Sequence, residues 1–322
     1  MPGRVLVSGG SGFIGTNLVE SLARDGFDVL SFDHSAPRIP AHRRYFRRVD
    51  LLDRDAVTSA FREWKPQQVV HLAARTDLDG ASLDDYAANT TGTEIMLDAA
   101  EAAGTVTRML VTSSMLVCPP GYVPKDEHDY APHTPYGRSK VETERITRGR
   151  DPQFVWALLR PTTIWGPYHH GLRDQFLRVV RRGLYLHPGG RSCRRSYGYV
   201  GNAVHQIRQL LDATEGVVRR RMFYIGDPAI ELLDYINGFS RRLTGKNVRV
   251  VPYALMKSMA LCGDAASALG FKGLPLTSYR LSNMTGDNVL DMSPTLAVTG
   301  PNPFTLEQGI EATVAWLDQP AA

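Results

Sequence analysis

Cysteine is scarce: the 322 residues hold three, Cys118, Cys193 and Cys262, far apart and without a C-x-x-C spacing. That argues against a disulfide framework and a cysteine zinc site, and it predicts a reducing, cytoplasmic compartment and no metal centre. Long apolar runs are also missing. No stretch approaches the roughly 18 residues that cross a bilayer, and the start MPGRVLVSGG lacks the basic-then-apolar layout of a secretion signal, so no membrane partner is expected. Nor is there a block of one charge. The net charge of +4 comes from 37 basic and 33 acidic residues, scattered along the chain. Its densest runs, HRRYFRR (42–48) and RRR (219–221), read as solvated faces, and no nucleic-acid partner is expected. Lysine is rare too, six residues against 13 tyrosines. Two Tyr-x-x-x-Lys pairs nevertheless occur, Tyr136/Lys140 and Tyr253/Lys257, and context must separate them.

What is present is a chain long enough, and at 43% hydrophobic residues apolar enough, to bury a large core. Its first thirty residues, RVLVSGGSGFIGTNLVESLARDGFDVLSFD, read as a short β-branched strand, a glycine turn, an amphipathic helix and a second buried strand ending at Asp33. Gly9, Gly12 and Gly15 have the physical properties of a pyrophosphate cradle. The first permits the tight turn, the second lets a diphosphate approach the helix N-terminus, and the third lets helix and strand close together. Asp33 is placed to accept hydrogen bonds from an adenosine ribose and would repel a 2′-phosphate, which favours NAD over NADP. Arg38, Arg43 and Arg44 are the counterweight to that preference.

Alternation continues with 44–51 as strand, 53–64 as helix, 68–74 as strand, a long helix over 83–103, then 108–114 as strand, a helix from Tyr136 and 154–160 as strand. Such interleaving implies an α/β fold, a doubly wound parallel (Rossmann) sheet with ligands across its carboxyl edge. Asp50, Ala73, Ala74, Ser113 and Ser114 fall at that edge. From 166 onward the text turns rich in Gly, His, Arg and Tyr. The expected organisation is a dinucleotide domain over 1–165 with 196–226 returning to it, and a smaller C-terminal lobe for substrate built from 166–195 and 227–322. His169 and His170 sit in a loop of that lobe, facing either solvent or ligand.

A phenol titrates near pH 10, roughly, and is a poor base at neutrality unless its phenolate is favoured. Lys140 lies one helical turn after Tyr136, so its ammonium, together with the charge of a bound nicotinamide, is expected to lower the pKa of the tyrosine. Ser114, ending the preceding strand, is positioned to orient a substrate hydroxyl. Tyr253 and Lys257 have no serine-ending strand before them and read as an ordinary helix.

These segments resemble the extended short-chain dehydrogenase/reductases, and within them the NAD-dependent epimerase/dehydratase family acting on nucleotide sugars. VSGGSGFIG is similar to that family's cofactor loop, VDLLD to its adenine-side segment, VVHLAA to its fourth strand and NTTGTEIMLDAA to its Asn-x-x-Gly-Thr helix. VTSSMLV, YGRSK, LRPTTIWGP and RRSYGYVGNAVHQI resemble its remaining signature segments. The resemblance implies Ser114, Tyr136 and Lys140 as the catalytic trio. It implies NAD contacts from Gly9, Gly12, Phe13, Ile14 and Gly15 in the turn, and from Asp33, Asp50 and Leu51 on the adenine side. Leu72, Ala73, Ala74, Asn89, Thr112 and Pro161 would add to these, together with Tyr136 and Lys140. Substrate contacts would come from Arg75, Ser114, Thr163, Arg195 and Arg280. The helices 83–103 and 136–149 would form a four-helix homodimer interface.

Departures from the family pattern narrow the reaction. TSSMLVCPP lacks the Asp-Glu pair of the family's dehydratases, and Asn202 stands where an Asp commonly fixes the lobe. The reading that follows is a nucleotide-sugar epimerase that oxidises and re-reduces a sugar C4 hydroxyl through a 4-keto intermediate. The alternatives are an NAD(P)H-dependent reductase of a nucleotide-linked 4-keto sugar and, more remotely, a non-catalytic dinucleotide-binding protein.

Overall fold

The computed structural model describes residues 3–271 and 276–318. Strands β1 (Arg4–Ser8), β2 (Asp28–Asp33), β3 (Phe46–Arg48), β4 (Gln68–His71), β5 (Arg108–Thr112) and β6 (Val155–Pro161) join the strand Arg221–Ile225 in one sheet. The spatial order is 221–225, β6, β5, β4, β1, β2, β3, and every pairing is parallel. The order reverses between β1 and β4, so the crevice beside the glycine turn lies at the switch point where α/β sheets bind ligands.

Both faces are buried, as near-continuous apolar strands require. Successive residues of β1 serve opposite sides. Val5 and Val7 pack under α1 (Phe13–Arg24) and the helix Val200–Asp212, with Leu18, Val19, Ile207 and Leu210. Leu6 packs under α2 (Arg54–Trp64) and α3 (Thr91–Ala103), with Phe61, Ile95 and Met96. The first of these cores runs without a break into the region after 166, taking in Trp165, Leu177, Tyr199, Tyr235, Phe239 and Ile310. The strand 221–225 returns to the sheet beside β6 in the expected way.

Several boundaries differ from the sequence reading; the strands expected over 68–74 and 108–114 end at His71 and Thr112. The strand expected over 44–51 is confined to Phe46–Arg48, because residues 40–45 wind as a 3₁₀ helix behind Pro40. The helix expected from Leu83 begins at Thr91; 83–90 holds a short 3₁₀ turn at Asp84–Tyr86, where the Asp85 carboxylate accepts the Ala81 and Ser82 N–H groups. Helix α4 (Pro135–Arg150) begins where expected. Pro135 occupies its first turn and the Thr134 hydroxyl accepts the Gly137 N–H at 2.9 Å, a cap that fixes where Tyr136 starts.

Candidate functional site

The glycine turn is dictated by what surrounds it. Gly9 has φ +75°, and a Cβ there would stand 2.6 Å from the backbone nitrogen of Ala73, so the end of β4 can approach only a glycine. A Cβ on Gly15 would meet the Gly9 carbonyl oxygen at 2.1 Å, so this glycine closes α1 onto the turn itself rather than onto the strand. Gly12 caps α1 without any side-chain hydrogen bond, leaving the positive end of the helix facing an open cleft of about 910 Å³.

On the adenine side the Asp33 carboxylate accepts the N–H groups of Ser11 (3.2 Å) and Ser35 (3.0 Å), which fixes its orientation at the end of β2. Asp50 and Leu51 line the cleft beside it, and Arg38 donates from Nε to the Ser11 carbonyl at 2.9 Å. Arg38 thus braces the turn, while Arg43 and Arg44 are not among the lining residues. Further along the wall come Leu72, Ala73 and Ala74 from the end of β4, Thr112 from β5 and Pro161 from β6.

At the far end of the same cleft lie Ser114, Tyr136 and Lys140. The Ser114 hydroxyl accepts the Leu116 N–H at 3.1 Å, and Ser114 and Tyr136 line the same wall. Burial pushes the Tyr136 hydroxyl above its ordinary value; Ser114 opposes that shift and Tyr86, whose ring lies 6.0 Å away, adds to it. Lys140 is not among the groups that set this direction. The Lys140 ammonium is directed instead to the Thr112 carbonyl, at 2.9 Å, and burial lowers its own pKa to about 8 against the upward pull of Glu144.

Glu144, one further turn along α4, is fully buried and ion-paired with Arg160, with Nε–Oε1 and Nη2–Oε2 distances of 2.7 and 2.8 Å. It also accepts the hydroxyls of Ser113 (2.6 Å) and Tyr130 (2.8 Å). A single helix face, 136–140–144, is therefore tied to the ends of β5 and β6. The sequence reading missed this clamp, although a Glu two turns after a catalytic Tyr was its signal. His71 was also missed. It is buried between the hydroxyls of Ser8 (2.7 Å) and Thr93 (3.3 Å), and burial, with the Lys140 charge second, lowers it to about 3, so it stays neutral.

Four expected contacts do not reach the cleft. Asn89 is buried and spans the loop after β4, accepting the Arg75 N–H at 2.8 Å and donating to the Arg75 carbonyl (3.0 Å) and the Ser139 hydroxyl (2.8 Å). It joins β4 to α4 rather than lining the cofactor site. Thr163 is exposed and opens a short strand whose neighbours Thr162 and Ile164 line the cleft, so its side chain faces away from that wall. Arg195 is buried in a two-residue strand against Ile230–Glu231 and donates to the Asn283 carbonyl at 2.5 Å. Arg280 is exposed on the helix Ser278–Asn283, outside the cleft wall.

Of the expected substrate residues, Arg75 and Ser114 do line the cleft. His169 and His170 line it too, with the His169 ring 4.7 Å from that of Phe13. Asn202 donates to Asp227 (2.8 Å) and to the Phe304 carbonyl (2.9 Å), so the acid expected at 202 is supplied by Asp227.

A parallel sheet with a glycine turn at its switch point and a hydroxyl–amine constellation on the same cleft defines a dinucleotide-dependent enzyme of the extended short-chain dehydrogenase/reductase type. The chain belongs to the NAD dependent epimerase/dehydratase family, whose model matches residues 5–226. It is 28% identical over 329 residues to the N-acetyl-alpha-D-glucosaminyl-diphospho-ditrans,octacis-undecaprenol 4-epimerase of Escherichia coli O157:H7, covering 98% of this chain and 96% of that protein. It is 34% identical over 220 residues to the 3 beta-hydroxysteroid dehydrogenase/Delta 5-->4-isomerase of Mycobacterium tuberculosis, covering 63% of this chain and 58% of that protein. Among solved structures, the UDP-glucose 4-epimerase of Thermus thermophilus in complex with NAD shares the fold with a TM-score of 0.73, 24% identity and 98% coverage of both chains.

Proposed function

We propose that this protein interconverts the C4 epimers of a sugar carried on a diphosphate. The observation that carries the reading is the convergence of Ser114, Tyr136 and Lys140 on the wall of the cleft that the glycine turn opens. The match to a diphosphosugar 4-epimerase along nearly the whole chain supports it. The residues fit NAD: an uncapped helix end behind glycines that no side chain could replace, an acid oriented at the ribose position, and the Thr112 and Thr162 hydroxyls buried at the cleft without protein partners. When bound, NAD supplies reversible hydride transfer at a sugar carbon.

Tyr136 moves the proton at the sugar oxygen, taking it as the alcohol becomes a ketone and returning it on reduction. Its raised pKa suits the return, and Ser114 is the neighbour that favours the phenolate needed for the forward step. Lys140, held on the Thr112 carbonyl, keeps a positive charge beside the reacting oxygen. No net oxidation results, because hydride and proton both return with the C4 configuration inverted.

The carrier has two candidate chemistries, nucleoside and polyprenyl, sharing the diphosphate. Incubating the protein with UDP-N-acetylglucosamine and, separately, with polyprenyl-diphosphate-N-acetylglucosamine distinguishes them. One arm is expected to reach a mixture of C4 epimers by NMR without lasting NADH. A keto sugar that instead consumes NADH one for one, with neither arm epimerised, would replace this reading by the reductase. A homodimer through α3 and α4 belongs to the same proposal. The exposed side chains there, Glu94, Glu101, Arg138 and Arg145, make that contact a polar one.

A further inference from the structure

A cluster of exposed apolar residues lies away from the cleft, on the helix Tyr253–Ala268 and its flanks. Only Met256 and Ala260 of this helix are buried, against Leu281 in a small cluster apart from the two main cores. The opposite side carries Leu255, Met259, Cys262, Ala266 and Leu269, a spacing of 4, 3, 4 and 3 that places them in one line along the helix. Leu255 is 54% exposed, Met259 42% and Leu269 79%, and no charged residue interrupts the line. Leu261, Val250, Phe271 and Tyr279 extend the exposed apolar area. A solvated helix face of this length normally carries charge, and an uncovered apolar one marks an interaction surface.

Charge identifies the occupant. Residues 246–286 contain five basic side chains and a single acid, Asp264, an excess equal to the net charge of the whole chain. That acid is engaged within the segment, accepting the Ser278 N–H at 3.0 Å. Lys257 is exposed on the other flank of the helix, one turn before Leu261, Arg249 is exposed in the strand that leads into the helix, and the Arg191 guanidinium sits 4.1 Å over the Tyr253 ring at the start of the helix. A second copy of the chain docking through this face would bring two basic segments together, a repulsive arrangement. Anionic lipid headgroups satisfy both features at once, phosphates for the bases and the acyl boundary for the apolar line. A helix lying in the interface needs no spanning length, and none of the described helices is long and apolar enough to cross a membrane.

We propose that the outer face of the helix Tyr253–Ala268 docks on an anionic membrane surface, with Leu255, Met259, Cys262 and Leu269 entering the headgroup boundary and Arg249 and Lys257 meeting lipid phosphates. The inference goes beyond the substrate reading and does not require it, although a polyprenyl-linked sugar would lie in such a surface.

The test is flotation of the full chain with phosphatidylglycerol/phosphatidylcholine vesicles and with phosphatidylcholine vesicles, no sugar being added. Wild type is expected to float with the anionic vesicles and less with the neutral ones. L255S/M259S, which leaves the charge unchanged, is expected to bind at least about tenfold more weakly, and R249Q/K257Q to lose the preference for anionic lipid. NAD binding of both variants reports that they are folded. Wild type failing to float, or L255S/M259S floating as wild type does, would overturn the proposal. Light scattering that shows a dimer split by L255S/M259S, with no vesicle binding, would assign the face to a second copy instead. Because no substrate is present, failure of the epimerase reading leaves this result untouched, and failure here leaves that reading untouched.

Discussion

Tyr136 and Lys140 show how spacing and environment divide the work. The sequence holds two Tyr-x-x-x-Lys pairs with equal spacing. Tyr253 and Lys257 fall on a peripheral helix, whereas Tyr136 is buried against Ser114 and Lys140 donates to the Thr112 carbonyl. The residue types of the site were legible because each has a chemical requirement written locally: a serine ending a strand, a capped helix start, a lysine one turn on. The direction of the Tyr136 shift was not, because burial is a property of the folded cleft and outweighs a neighbour at helical spacing. Lys140 carries its charge below about 8 and loses it above. Turnover is therefore expected to decline as pH rises through that value. Glu144→Gln, which removes the contact that raises Lys140, should move the decline to lower pH. Tyr136→Phe should cost turnover on the order of 10²-fold or more while NAD still binds. A variant within a few-fold of wild type would remove the tyrosine from proton transfer.

At the scale of elements, strands and helices with clear periodicity formed over the expected segments with ends shifted by a few residues, and the larger departures fell where a local competitor intervened. Pro40 turned the start of one expected strand into a 3₁₀ helix, and Asp85, accepting two backbone N–H groups, held 83–90 out of α3. Two of the expected substrate arginines lie outside the cleft wall for another reason. Arg195 and Arg280 belong to segments whose placement depends on pairing between distant pieces of chain, such as 194–195 with 230–231, which no local pattern announces. Asn202 is the instructive departure. Its amide donates to Asp227, which also accepts the Tyr199 N–H at 2.7 Å and the Asn302 amide at 2.7 Å. Burial nevertheless holds Asp227 up to about 6, the hydrogen bonds pulling the other way. Between 3.8 and about 6 the folded chain keeps a proton that the unfolded chain has released, so this group's contribution is greatest below 3.8 and is lost as pH rises through about 6. Asn202→Asp would replace a donor by a second carboxylate. A loss of about 3 kcal/mol is expected well above pH 6, shrinking at lower pH where the new carboxyl can protonate and donate; calorimetry at the two pH values reads it. An equal loss at both would place the cost elsewhere than in the carboxylate pair.

Over the whole molecule, one apolar core passes from under the sheet into the region after 166. Its catalytic edge is joined to the sheet by buried polar ties, Glu144 to Arg160 and Asn89 to Arg75 and Ser139. The outward surface near 246–286 is where charge and apolar exposure coincide. The claim that unifies these features is that hydride leaves the sugar carbon and returns to it within one cleft, with Tyr136 carrying only the proton of the oxygen. Epimerisation in D₂O, with whichever diphosphosugar is accepted, tests this most directly. Protium at C4 of the inverted product, read by NMR, is the expected outcome. Deuterium at C4 would mean that the carbon exchanged a proton with solvent, and it would contradict the hydride route.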